Sequence, residues 1–283
     1  MLAEDPEFAD LIRRASEKAD AILAHDDIRP DDFRDVFSRE EIERDKAKVR
    51  GYEQKFAADD AAHPEKERTM GRIIEALIYD QVKNNGWFGS DTSILHASKY
   101  DDFVNGVDCI TTHRDKGATA YLALGIDATT TSHPGNKFQR IREDLLGGAL
   151  GKIEYFKTEE DHKPLKRDVP HVVVGASPQT LKEVLSLRAD GDAERLKSHP
   201  VQLLFLAEIV VQLEGFKKFL QMKKQQKNQD VLDGHLRIIK PALLKKHKEI
   251  APREDMTQDP VWKGINEQIM SLTYQPPASE QKH

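Results

Sequence analysis

The spacing of hydrophobic positions along the chain changes twice. In residues 5–24, Phe8, Leu11, Ile12, Ala15, Ala19 and Ile22 recur at helical spacing and predict an amphipathic helix. DDIRPDDF interrupts it, and SREEIERDKAKVRGYEQKFAADDA predicts a charged helix with few core positions. Pro64, with Glu65 and Glu67, opens a further helix whose apolar stripe is Met70, Ile73, Ile74, Leu77 and Ile78, ended by NNGWFG. The texture then turns β-like. SILHAS (93–98), VNGVDCITT (104–112) and ATAYLALGIDATT (118–130) are rich in β-branched residues and separated by polar turns such as HRDKG. NKFQRIREDLLGG predicts a helix with Phe138, Ile141 and Leu145 on one face, and glycines close it.

KIEYFK (152–157) and PHVVVGAS (170–177) predict two more strands, the second apolar enough to be central in its sheet. PQTLKEVLSLRAD and the region from about Pro200 are helical, and the chain after Pro252 reads as a flexible tail. Helix, three strands, helix, two strands is the order expected of an α/β fold with a mixed sheet and helices packed on it. The implied organisation is a helical N-terminal arm at 1–62, an α/β core at 63–190, C-terminal helices packed on the core at 198–252, and a tail at 253–283.

Composition narrows the classes of function. The chain has 283 residues, 38% hydrophobic and 33% charged, with a net charge of −6. As a whole it is no polycation, so a nucleic-acid partner requires a local basic patch. Between Met1 and Asp60, 18 acids face 11 bases, which reads as a solvated helical arm. Between Gly215 and Arg253 the balance reverses, with 11 bases against three acids. Lys223, Lys224, Lys245 and Lys246 are the candidate nucleic-acid contacts there, and docking of the acidic arm on this face is the structural alternative. Cys109 is the single cysteine, which excludes an intramolecular disulfide and a cysteine-based zinc site. No apolar run approaches the roughly eighteen residues of a membrane span, and the acidic N-terminus is unlike a signal peptide, so a cytoplasmic protein is expected. The oligomeric state is open, a homodimer among the options.

Two aspartates carry the chemistry. Asp108 in VNGVDCI and Asp127 in LALGIDATT interrupt apolar strand patterns on consecutive predicted strands. A charge in such a place calls for a partner or a metal. Two neighbouring carboxylates repel unless a cation sits between them, and oxygen-only ligation suits Mg²⁺ or Mn²⁺. The alternative is that Asp108 ends a strand and Asp127 caps a turn. Glu75 lies at the rim of the preceding helix stripe, from which its carboxylate can reach the sheet.

The order helix Glu75, strand Asp108, strand Asp127, then a helix bearing Lys137, resembles the PD-(D/E)XK nuclease superfamily over about Pro64 to Ser177. ASKYDDFVNGVD, LGIDATT and KFQRI…GKIEYF are also similar to nuclease-like bacterial proteins. The resemblance implies a restriction-endonuclease-like αβββαβ core and Mg²⁺- or Mn²⁺-dependent cleavage of DNA or RNA. It makes Glu75 the helix acid, Asp108 the second-strand aspartate and Asp127 the first member of the acid-x-lysine triplet. The triplet reads Asp127-Ala128-Thr129, so its lysine slot holds threonine. Lys137 is the candidate replacement and Lys152 the second choice. A cation in a first helical turn opposes the helix dipole by roughly 0.3–1 kcal/mol, a hint of another purpose. Asp101 and Asp102 read as a turn or as further ligands, and Asn105-Gly106 as a bend before Asp108. If neither lysine reaches the acids, the implied alternative is an inactive nuclease fold that binds nucleic acid or protein. A helical scaffold without a site is a third reading. HExxH, Walker and GxSxG patterns are missing, and lone histidines such as His171 read as structural.

Overall fold

The computed structural model describes residues 6–24, 28–62, 66–114, 121–156, 167–251 and 253–274. The HRDKG turn, the Pro64 helix opening and the end of the tail beyond residue 274 lie outside the described residues, in whole or in part. Helix α1 (Pro6–Leu23) buries Phe8, Leu11, Ala15 and Ala19, the stripe that its spacing predicts. A 3₁₀ turn (Pro30–Phe33) leads to α2 (Arg39–Ala62), and α3 (Lys66–Asn85) follows. Strands β1 (Thr92–His96), β2 (Cys109–Arg114) and β3 (Tyr121–Thr129) pair antiparallel in sequence. Helix α4 (Gly135–Leu146) then returns the chain, by way of a two-residue ladder of β4 (Lys152–Ile153) and β5 (Arg167–Asp168), to β6 (His171–Gly175). β6 pairs parallel to β3, giving a mixed four-stranded sheet in the order β1-β2-β3-β6. The fold is therefore mixed α/β.

Helices α5 (Pro178–Ala189), α6 (Ala193–Lys197), α7 (Val201–Met222) and α8 (Gln226–Glu249) complete the body with α9 (Pro260–Thr273). Among the described residues no helix is long and apolar enough to cross a membrane. The main core joins α1, α3, the sheet, α4, α5, α7, α8 and α9, and a second cluster gathers Ile28, Phe33, Val49, Tyr100, Val107, Ile153 and Tyr155.

Four expectations change. Residues 101–105 form a π-helical turn ending at Gly106, so β2 begins at Cys109 and Asp108 sits at its entrance. His171-Val-Val-Val-Gly175 is last in the strand order rather than central. It stays fully buried because α7 lies along its open edge, where Gln212 bonds both the N–H and C=O of Val173 and Glu208 accepts from the Gly175 N–H. Side chains here do what a fifth strand would, which explains why an edge strand reads as a central one. The N-terminal segment, read as a solvated helical arm, packs closely on the rest of the fold. α1 packs on α3 and α5, and α2 packs against the π-helical turn; Lys48 bridges Asp45 and the Tyr100 hydroxyl, and Tyr155 donates to Asp45. Finally, the span read as a tail contains α9, whose Val261, Ile265 and Ile269 enter the main core against α7. Asp259 caps it, accepting from the Val261, Ser177 and Thr180 donors.

Candidate functional site

Asp108, Asp127, Glu75 and Lys137 meet at one end of the sheet: the C-terminal end of β3, the entrance of β2 and the first turn of α4. Asp127 and Val173 are register partners, and Asp127 points to the face opposite Ile126. The ladder is extended at Asp108, whose N–H donates to the Ile126 carbonyl and whose carbonyl accepts from Ala97. Its carboxylate reaches across and accepts from the Ala128 N–H at 2.6 Å. One aspartate thereby spans the end of β2 and β3, which fixes its carboxylate beside that of Asp127.

Lys137 closes the group from α4. Pro134 precedes the helix, and the Lys137 N–H bonds the Pro134 carbonyl, which aims the side chain back at the strand end. Its Nζ donates to Asp127 Oδ1 and, at 3.1 Å, to the Ala128 carbonyl. Lys152, the other candidate, is half-exposed and paired with Glu154 at 2.8 Å. Of the two lysines, the structure brings Lys137 to the aspartates.

Charge crowding governs this end. Burial and the neighbouring Asp127 push Asp108 up to about 7. Asp102, on the π-helical turn, is raised well above the usual carboxylate range by burial, Asp108 and Asp127, and it shares a carboxyl–carboxylate hydrogen bond with Asp108. Burial and the charges of Asp108 and Asp102 likewise raise Glu75. For Asp127, burial raises the carboxyl against the opposing pull of Lys137 and Arg140. Burial alone would depress the Lys137 ammonium, but Asp127, Asp108 and Asp102 outweigh it and raise it. Four acids thus face one firmly protonated lysine, and some of them hold protons where a divalent cation would let them ionise.

Three residues join the four candidates. The sequence offers Asp101 and Asp102 together, as a turn or as further ligands; the structure separates the two. Asp101 is fully buried and structural, bonding Ser98, Asn105 and the Glu154 and Tyr155 N–H groups, whereas Asp102 faces the acids. Arg140, one helical turn after Lys137, lies against Gly106: a Cβ at Gly106 would stand 2.1 Å from its Nη1. Gly106 also adopts φ +69°, so both backbone and neighbour require glycine. The i, i+3 spacing of Lys137 and Arg140 was the available signal. His171, read as structural, is buried with Nε2 4.0 Å from Asp127 Oδ2, and burial with Lys137 and Arg140 lowers it to about 3, so it is a neutral neighbour.

On the opposite side of Glu75 lies a second donor set. His96 and Cys109 are cross-strand partners on β1 and β2, and one ligand atom from each of Glu75, His96 and Cys109 lies within 4.8 Å of the others. Counting cysteines excluded a cysteine-based site, but one cysteine in a mixed set escapes that count.

The proposed basic contacts lie elsewhere. Lys223 and Lys224 stand at the α7–α8 turn and Lys245 and Lys246 near the far end of α8, about 30 Å apart along a helix of 1.5 Å rise. Mid-α8 packs over Leu122, five residues and so about 16 Å of strand from Asp127. Among the described residues α1 packs on α3 and α5 and α2 on the π-helical turn, while on the basic segment Lys217 pairs with Asp233, Lys240 with Glu214 and Lys245 with Glu249.

Comparison with protein-family models, curated proteins and solved structures finds no match to this chain.

Proposed function

We propose that the chain is a metal-dependent nuclease that hydrolyses phosphodiester bonds of DNA or RNA, on a restriction-endonuclease-like core. The observation that supports this reading most is the meeting of Asp108, Asp127 and Lys137 from β2, β3 and α4, with the lysine amine in hydrogen-bond contact with Asp127. A lysine within reach of the aspartates is what separates an active site from an inactive nuclease fold, and Lys137 meets that condition from a helix rather than from the triplet.

The donor set fits a hard cation. Asp108 and Asp127, with Glu75 and Asp102 beside them, offer only carboxylate oxygens, and burial first, then mutual repulsion, raises the proton affinities of Asp108, Asp102 and Glu75. Mg²⁺ or Mn²⁺ held there would supply Lewis acidity toward a phosphoryl oxygen and a water of lowered pKa. The chain's own part is positional. Lys137, held protonated, donates rather than accepts, so it serves to stabilise negative charge on a phosphate oxygen or to orient a water. The Ala128 N–H and Asp102 fix the Asp108 carboxylate, and the neutral His171 packs beneath Asp127 without adding charge.

The test is cleavage of plasmid DNA, linear duplex and single-stranded RNA in Mg²⁺ or Mn²⁺, with a chelator control and Asp127→Asn alongside. Metal-dependent cleavage that disappears in the variant is expected. Equal cleavage by the variant, or none by the wild-type chain on any substrate, would overturn the reading.

A further inference from the structure

From the second donor set we infer that Glu75, His96 and Cys109 form a binding site for a borderline-soft divalent cation of the zinc class, distinct from the oxygen-only group on the other side of Glu75. The inference stands whether or not the chain cleaves nucleic acid.

The argument begins with the strands. In the β1–β2 register His96 faces Cys109, so alternation sends both side chains to the same face of the sheet, the one covered by α3. Glu75 lies on α3, one turn before Tyr79. The Tyr79 ring stacks on the His96 imidazole with centroids 3.5 Å apart and planes at 17°, which fixes the ring plane from the same helix that delivers the carboxylate. Three side chains from three elements therefore converge, with one ligand atom of each within 4.8 Å of the other two. Tetrahedral zinc with bond lengths of about 2.0–2.3 Å needs donors roughly 3.3–3.8 Å apart, so the widest pair has to close by about 1–1.5 Å on binding.

The chemistry of the donors selects the ion. A thiolate, an imidazole and one carboxylate suit zinc and its neighbours far better than magnesium, which prefers oxygen and keeps its waters. Three protein ligands leave a fourth position for water. His96 and Cys109 are buried while Glu75 is half-buried, so Glu75 is the member of the set that solvent reaches. On binding, the imidazole lone pair and the Glu75 carboxylate coordinate, and the Cys109 thiol becomes a thiolate. Its proton goes to solvent, joined by that of Glu75 where the carboxyl is protonated. Bound, the ion ties α3 to β1 and β2. Glu75 can face the ion or the aspartates, but its one carboxylate does not serve both sites fully.

The experiment uses the full chain, freed of metal by chelation, titrated with Co²⁺ and with Zn²⁺. One equivalent of Co²⁺ is expected to raise a near-ultraviolet thiolate-to-cobalt band, in wild type and in Asp127→Asn alike. Cys109→Ala should abolish the band and weaken zinc binding by more than about 100-fold, beyond the usual cost of losing a supporting group. His96→Gln, a second variant should the first fold poorly, should also weaken it. Saturating zinc should raise the melting temperature of wild type by about 5 °C and leave Cys109→Ala unmoved. Absence of the band in wild type overturns the inference. So does a Cys109→Ala variant with unchanged zinc affinity, or binding without a band that is lost in Asp108→Asn, which places the ion among the aspartates. Loss of cleavage in Asp127→Asn bears on the nuclease reading alone.

Discussion

At one end of the four-stranded sheet, Glu75, Asp102, Asp108 and Asp127 crowd around Lys137, with few ion pairs to relieve them. Along the β6 edge and over the start of β3, α7 and α8 carry a larger number of charges, yet Lys217, Lys240 and Lys245 each have an acidic partner on the helices themselves. The basic segment is richer in charge by count, and the acid end is richer in unresolved charge. Exposed pairs such as those on α8 are worth little and are screened by salt, whereas like charges brought together in a half-buried cleft shift proton affinities strongly. The proposed function rests on the second kind of charge.

The sharpest way to break that contrast is by substitution at the two ends. Asp127→Asn is expected to abolish metal-dependent cleavage, and Lys137→Ala to lower turnover by about 10²–10⁴, the range for a positioned proton-transfer or charge-stabilising group. Lys152→Ala, whose lysine pairs with Glu154, should have a much smaller effect; the reverse order in a cleavage assay would show the wrong lysine at work.

Gly106 tests how the acid end is held. Gly106→Ala places a Cβ against Arg140 and strains a left-handed backbone, so cleavage should fall by roughly tenfold or more. A circular-dichroism melt should shift by less than the activity does. Full activity in the variant would mean that Arg140 is free to move without consequence.

pH should separate the ends as well. The folded chain raises Asp108 from an ordinary value of 3.8 to about 7, so between these values the native state keeps a proton that the unfolded chain has lost. Its contribution to stability is full below about 4 and is lost as pH rises through about 7. The metal-free protein should therefore lose melting temperature as pH rises from about 4 to about 7, and Mg²⁺ should restore it by replacing the proton. Apparent metal affinity and subsaturating cleavage should rise over the same window. Asp108→Asn should flatten the pH dependence, and a profile unchanged by that substitution would count against the crowding described here.

The smallest effects are expected at the helical end. Charge reversal at Lys223 and Lys224, or at Lys245 and Lys246, should alter nucleic-acid affinity by less than tenfold and leave turnover intact, since each pair stands far from Asp127. A loss of binding with a changed salt slope for either pair would make α8 a second contact surface.

Much of this was legible along the chain. The stripe Phe8, Leu11, Ala15, Ala19 and the helix carrying Phe138 and Ile141 follow from period, because burial on one face imposes it, while the strands around Ile110 and Leu124, buried on both faces, show instead as apolar runs rich in β-branched residues. Asp108, Asp127, Glu75 and Lys137 were visible as charges set against apolar patterns or helix polarity. α9 was missed because its stripe sits between charged segments and carries Gly264 in its middle. That glycine has a tertiary cause: a Cβ there would lie 2.1 Å from the Ser132 carbonyl, so α9 can press on the loop that leads to Lys137. The edge position of β6 was hidden because Gln212 and Glu208, 33 residues or more away, satisfy its backbone.

By itself, then, the sequence determined most of the helices and strands and which acids stand out of place, since these are properties of spacing and local polarity. The tertiary structure decided which of those acids meet. It separated Asp101, satisfied by the Glu154 and Tyr155 amides, from Asp102, turned toward Asp108. It chose Lys137 over Lys152, and through the β1–β2 register it set His96 beside Cys109 beneath Glu75. The reason is physical: proton affinity and metal affinity depend on distances of a few ångströms between residues far apart in the chain, and such distances exist only once the sheet has fixed its register and the helices have packed on it.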